Sequence, residues 1–354
     1  MVTPNQKKIT KKMLVTLNGQ QTNTPPLWLM RQAGRHLKEY LEIRAKAKNF
    51  LEFCYTPDLT VEATLQPIRR YGFDAAILFS DILVIPDALG QQVDFVPGTG
   101  PKLEAISSFD ELEKLSKDRL HDRLSPVYEA IGQICCELPE ETVLIGFAGA
   151  PWTIATYVVE GGGSKDYQKT RKWAYDAPDE FGVLIDILID ATADHLIRQI
   201  ESGVEVVQLF DSWAGVLPPS QFDKWSIEPA KKIIARIRAK HPDIPIIGFP
   251  RGAGLLYQRF VQETGVNAVS IDATVPLTWA AKNLQPHCAV QGNLDNLALL
   301  TGGPAMEAEV AHILAAFADG PFIFNLGHGI LPETPVPHVK RLIELVRGTS
   351  VGAA

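Results

Sequence analysis

Cysteine is scarce in this chain: Cys54, Cys135, Cys136 and Cys288 are the only four in 354 residues. None forms a C-x-x-C pair, so neither a disulfide framework nor a paired-cysteine metal site is expected. Such sparing use fits a reducing compartment. Positive charge is not in excess either. The formal net charge is −7, which argues against a nucleic-acid partner. An anionic ligand would have to be drawn in by local basic groups, not by the field of the whole protein. No apolar run is long enough to span a bilayer. The early lysines Lys7, Lys8, Lys11 and Lys12 are not followed by the apolar stretch of a secretory leader. A soluble cytoplasmic protein with no membrane partner is expected. No low-complexity linker divides the chain, so a single domain is expected, with residues 1–20 as an N-terminal extension and 21–348 as the catalytic body.

What is present is a recurring pattern. Hydrophobic residues make up 46% and charged residues 21%, enough apolar material for one sizeable core. Eight apolar, β-branched runs recur, at 27–30, 75–79, 143–147, 204–210, 244–249, 268–271, 289–291 and 322–325. Continuous rather than alternating apolar runs are what a parallel sheet buried on both faces requires. Amphipathic stretches at 180–200, 229–240 and 306–318 read as helices between them. Strand and helix alternating eight times predicts an α/β fold of the (β/α)8 TIM-barrel type. An inserted helical pair is expected over 107–137.

The residues that follow each run carry the functional signal. Arg31 and Arg35 follow the first, Ser80-Asp81 the second and Gly149-Ala150-Pro151-Trp152 the third. Asp211-Ser212-Trp213 follow the fourth, Arg251 the fifth and Asp272 the sixth. Gly292-Asn293 and Gly327-His328-Gly329 complete the set. In a barrel of this kind the strand C-termini form the active face. Loops are polar everywhere, which explains polarity at these positions but not the choice of Arg, Asp, Ser and His among glycines. The first exit is the most telling. Arg31-Gln32-Ala33-Gly34-Arg35 sets two guanidiniums around a glycine. Arginine is suited to bidentate recognition of carboxylate or phosphate, so an anionic substrate with several acid groups is expected. A pair of surface arginines opening a helix would look the same.

Six stretches in order, PPLWLMRQAGR, AAILFSDIL, LIGFAGAPWTIATYVVEGGGS, LFDSWAG, QGNLD and FNLGHGILPETP, closely resemble the uroporphyrinogen decarboxylase family. The resemblance runs over roughly residues 25–346. It implies a (β/α)8 barrel that removes CO2 from the four acetate side chains of uroporphyrinogen III, giving coproporphyrinogen III, in haem biosynthesis. It also implies work without metal or organic cofactor, and homodimers with facing clefts. Where the family's first motif commonly continues RYLPEYR, this chain has His36, Lys38 and Leu41 in place of the aromatic, the proline and an arginine. Asn296 replaces a frequent proline after QGNLD, where the loss is expected to be mild.

The resemblance also assigns residues. Asp81 would accept pyrrole N–H groups and stabilise a protonated ring; on residue type alone it reads first as an N-cap for the following segment. Arg31 and Arg35 would bind carboxylates. The resemblance raises Arg31 as a proton donor, but arginine stays protonated in proteins. Pairing it with the departing carboxylate would favour the ground state over the transition state. Arginines gripping the carboxylates that do not react fit better. Tyr157 would line the cleft as a donor, although a tyrosine in an apolar helix also reads as core. Ser212 and His328 would hydrogen-bond carboxylates, and Gln32, Ala33 and Gly34 would contribute backbone or small-residue fit. The run Gly161–Gly163 lacks the G-K-[ST] ending of a phosphate loop and reads as a turn or mobile lid. Rival readings are a zinc-dependent corrinoid methyltransferase, a tetrapyrrole carrier without chemistry, and a structural protein. His287 and Cys288 are adjacent, not in the H-x-C spacing the first rival needs.

Overall fold

The computed structural model describes residues 11–96 and 98–348; the first ten residues of the expected N-terminal extension lie outside them. Among the described residues nine strands run in chain order: β1 (Ala75–Ile77), β2 (Val93–Val96), β3 (Gly100–Leu103), β4 (Val143–Gly149), β5 (Val206–Asp211), β6 (Ile246–Pro250), β7 (Ala268–Ser270), β8 (Ala289–Leu294) and β9 (Phe322–Leu326). Seven of them form one parallel sheet in the order β1-β4-β5-β6-β7-β8-β9. The sheet is curled. Gln291 of β8 donates to Gln208 Oε1 of β5 at 3.2 Å, although the two strands stand three places apart. In a flat sheet that separation would be about 14 Å.

The eighth expected strand, at 27–30, is reduced to a single parallel bridge between Leu27 and Phe324. Phe324 N–H donates to Pro26 O at 2.9 Å on one side, and Asp74 N–H to Leu27 O at 3.0 Å on the other. The segment thus lies between β9 and β1. It makes little ladder because Pro25 and Pro26 have no N–H to give and because the chain turns at Arg31. The paired strands β2 and β3 form an antiparallel hairpin that the sequence pattern did not single out.

Helices fall near their expected positions: Pro178–Ser202, Glu228–Lys240 and Gly303–Ala316. The expected insertion holds a short 3-10 turn, Asp110–Lys114, and a long helix, Leu120–Glu137. Inside the sheet's curl lies one apolar cluster, including Trp28, Ala75, Ile145, Val206, Ile247 and Ile323. The short helix Lys12–Leu17 adds Met13 and Leu17 to this cluster. It is tied down by the Lys11–Glu205 ion pair at 2.6 Å and Lys12–Asp74 at 3.3 Å. A larger cluster packs the helices against the outside of the sheet. Both faces of the strands are therefore dry, as continuous apolar runs require.

Candidate active site

A cleft of about 910 Å³ opens at the C-terminal ends of the strands. Its floor is apolar: Met30, Ile77, Phe147 and Phe210 reach it from the sheet. The rings of Phe147 and Phe210 meet edge to face at 5.6 Å.

Arg31, Ala33, Gly34, Arg35, Asp81, Tyr157, Ser212 and His328 all line the cleft. Arg31 and Arg35 are exposed, and among the described residues neither has an ion-pair partner. Gly34 gives the backbone room, though toward the chain itself: a Cβ there would lie 2.9 Å from Arg31 O. Asp81 is half-buried. Its Oδ1 accepts Leu83 N–H at 2.8 Å, a local turn ahead of the helix Val84–Ala88, whose N-cap position is Leu83 and not Asp81, while among the described residues no protein donor engages Oδ2. Burial pushes its carboxyl above the usual carboxylate range; the Leu83 N–H and Arg31 pull it back. Ser80 Oγ beside it is buried in the cleft wall without a hydrogen-bond partner among the described residues.

Tyr157 projects from the helix Pro151–Glu160 and packs near Trp213, ring centroids 6.4 Å apart. Burial raises its phenol; the Trp213 indole lowers it, Asp81 raises it and Arg31 lowers it. Ser212 and Trp213 are fixed from beneath. The buried Asp211 accepts Thr153 Oγ1–H and Ser226 Oγ–H, each at 2.6 Å. Trp213 N–H donates to Thr153 Oγ1 at 3.2 Å. His328 is half-buried. Burial, then Arg31 and Arg251, push its imidazole down to about 4, with Asp272 opposing, so it is neutral at pH 7.

Several strand-exit residues turn away from the cleft. Asp272 accepts Gly252 N–H at 2.9 Å and Tyr257 O–H at 2.8 Å, and Asn293 donates to Asp272 O at 3.1 Å. They staple neighbouring loops. Gln32 is likewise not part of the lining; it is 1% exposed and bonded on both sides to backbone. Gly161, at φ 77, ends its helix. Gly162 bridges Lys102, and Leu103 N–H donates to Gly161 O at 3.0 Å. The glycine run thus docks the β2–β3 hairpin against the cleft, where Phe95, Thr99 and Pro101 complete the wall.

Arg44 is a cleft residue that the sequence reading missed. Its guanidinium lies 5.8 Å from the ring centroids of both Phe50 and Phe53. The available signal was its i+4 spacing from Tyr40 on one helix face. His36 also lines the cleft. Both its ring nitrogens are buried without hydrogen-bond partners among the described residues, and burial holds it at about 4, with Glu39 opposing and Arg70 assisting. Leu41, 48% exposed, stands at the mouth. Lys38 opens the helix Lys38–Arg44 on the exposed side. Among the described residues no group of three or more His, Cys, Asp or Glu could hold a metal ion, and Cys288 is buried.

A curled parallel sheet with unpaired arginines, a carboxylate and an apolar floor at the strand ends defines an α/β enzyme for a polyanionic, partly apolar substrate. The comparisons with known proteins give the particular family. Residues 9–349 match the model of the uroporphyrinogen decarboxylase family, and the chain belongs to that family. It is 54% identical over 340 residues to the uroporphyrinogen decarboxylase of Rhodospirillum rubrum, covering 96% of this chain and 98% of that one. It is 54% identical over 337 residues to the one from a Chelativorans species, covering 95% and 98%. Among solved structures, a methyltransferase from Methanosarcina mazei superposes with a TM-score of 0.78 at 19% identity, covering 95% of this chain and 97% of that one. At that identity the likeness shows the fold alone. No described helix is long and apolar enough to cross a membrane.

Proposed function

We propose that this chain decarboxylates the four acetate side chains of uroporphyrinogen III, giving coproporphyrinogen III, as a cofactor-independent cytoplasmic carboxy-lyase of tetrapyrrole biosynthesis. The observation that carries the reading is the pairing within one cleft of a half-engaged carboxylate, Asp81, with unpaired arginines above an apolar floor. Residues 21–348 make up its catalytic domain, with 27–30 serving as the first strand of an eight-membered barrel.

The chemistry needs an electron sink, and a pyrrole supplies one. A proton adds to the ring carbon next to the acetate-bearing carbon. The C–CO2 bond then breaks, its electron pair flows into the cation and CO2 leaves. A proton adds to the exocyclic carbon, the ring proton departs, and a methyl group remains. Each cycle consumes one proton net. Asp81 Oδ2 accepts pyrrole N–H groups and stabilises the growing positive charge, the kind of preorganised electrostatics that dominates many active sites. Its raised carboxyl marks a charge held out of water, which strengthens that interaction. Arg31, Arg35, Arg44, Ser212 and His328 hold the carboxylates that are not reacting. The reacting acetate sits toward Ile77, Phe147 and Phe210, where loss of its charge is favoured. Tyr157 donates toward the ring or to Asp81.

The same reading includes a homodimer with facing clefts. Leu255 and Leu297, 76% and 57% exposed, follow β6 and β8 on the cleft side and offer apolar surface for it. The experiment that separates an enzyme from a carrier is Asp81→Asn with uroporphyrinogen III under nitrogen. Binding retained with turnover lost supports the reading; turnover unchanged contradicts it.

A further inference from the structure

Arg31 has a backbone φ of 61°. Residues with a Cβ occupy that left-handed region only where the surroundings over-determine it, and such positions cluster at functional sites. The surroundings here are specific. Asn325, fully buried, accepts Met30 N–H through Oδ1 at 3.0 Å. The same oxygen accepts Leu326 N–H at 2.8 Å. Ile330 N–H donates to Met30 O at 2.9 Å. Both polar groups of the residue before Arg31 are therefore gripped by the segment that carries His328.

The other flank is held by Gln32. Its Oε1 accepts Leu29 N–H at 3.1 Å, and its Nε2 donates to Ala75 O at 3.1 Å. Its own N–H closes the turn onto Leu29 O at 2.9 Å. Ala75 opens β1, the strand whose exit carries Asp81. An amide is the side chain that can accept from one backbone group and donate to another in a dry site; a carboxylate would lack the donor and add a buried charge. Neither Asn325 nor Gln32 lines the cleft.

We propose that Asn325 and Gln32 are positioning residues for Arg31. Together they hold its left-handed turn between β1 and β9, so that the guanidinium enters the cleft in fixed register with Asp81 and His328. The proposal rests on the reading that Arg31 binds carboxylates of the substrate. A merely structural role would lower stability and slow the enzyme whether or not Arg31 were present; a positioning role acts only through Arg31.

The test is a double-mutant cycle on the full chain, with kcat and KM for uroporphyrinogen III measured anaerobically and thermal unfolding recorded for each variant. Asn325→Leu and Gln32→Met should each lower kcat/KM by roughly tenfold, mainly through KM, as expected for members of one hydrogen-bond network. In an Arg31→Ala background neither should lower it further. Equal losses in both backgrounds overturn the proposal. If Asn325→Leu does not fold, the Gln32→Met cycle decides by the same criterion. Arg31→Ala alone with unchanged KM removes the carboxylate-binding reading, and the proposal with it, and that single variant shows which of the two has failed.

Discussion

Gly329→Ala is the sharpest perturbation the cleft offers, because it moves an arginine without removing any charge. A Cβ at Gly329 would stand 2.4 Å from Arg31 Cδ, 2.8 Å from Cγ and 3.0 Å from Nε. Carbon pairs rest at about 3.5–4.0 Å, so the middle of the Arg31 side chain must move by roughly 1 Å or more. Gly329 is not in the left-handed region, so alanine suits its backbone and the fold should persist. A misplacement of that size in a substrate-positioning group costs about a hundredfold in kcat/KM. The assay is initial-rate decarboxylation under nitrogen, with the unfolding temperature as control. Gly327→Ala provides the contrast. Its Cβ would lie 2.3 Å from Ala273 N, where only backbone can yield, so that variant should lose at least about 2 kcal/mol of stability. A Gly329→Ala enzyme with parental kcat/KM and parental stability would refute the idea that Arg31's placement matters.

Asp81→Asn should keep the fold and lose on the order of a hundredfold or more in turnover, as for removal of one preorganised electrostatic group; near-normal kcat would sink that role. His328 is held at about 4 in the free protein, and a substrate carboxylate brought beside it must raise that value. Binding of a polycarboxylate porphyrin should therefore take up protons. Affinity should tighten as pH falls through the bound-state value toward 4, and His328→Asn should lose that component; titration calorimetry in buffers of different ionisation enthalpy measures it, and identical proton uptake in both proteins would contradict it. His36, His195 and His328 are pushed by burial to about 4, 3 and 4, each from 6.5. The unfolded chain therefore binds protons that the folded chain refuses. Stability that is full above about pH 6.5 should decline toward pH 4, by on the order of 3 kcal/mol per histidine at the lower limit. Denaturant midpoints across that range test it, and replacing His328 with Asn should flatten the slope.

Much of the fold was legible because a buried parallel strand cannot hide: seven of the eight apolar runs became strands of one sheet. The eighth was weakened by prolines that a run of apolar letters does not weigh. The hairpin over 93–103 was missed although Gly98-Thr99 sits between its strands; Val93 and Phe95 follow a period of two, and only the turn chemistry marks them. Within the site, residue type and strand-exit position brought Arg31, Asp81, Ser212 and His328 to one cleft. The same logic offered Asp272 and Asn293, which the structure turns inward to bond loop backbone. Sequence position says that a side chain leaves the strand end, while its direction depends on which backbone donors in neighbouring loops need a partner. Gln32 shows the same limit: it lies between two cleft arginines, and its side chain points into the wall to answer Leu29 and Ala75. Arg44 was missed for the opposite reason. It leaves a helix, not a strand, and reaches the cleft across two phenylalanine rings.

The most direct measurement is an anaerobic incubation with uroporphyrinogen III, followed by oxidation and chromatography that separates porphyrins by carboxylate number. A ladder from the octacarboxylate down to the tetracarboxylate is expected, with one CO2 released at each step. Octacarboxylate that stays unchanged while demonstrably bound would contradict it and leave a tetrapyrrole carrier in its place.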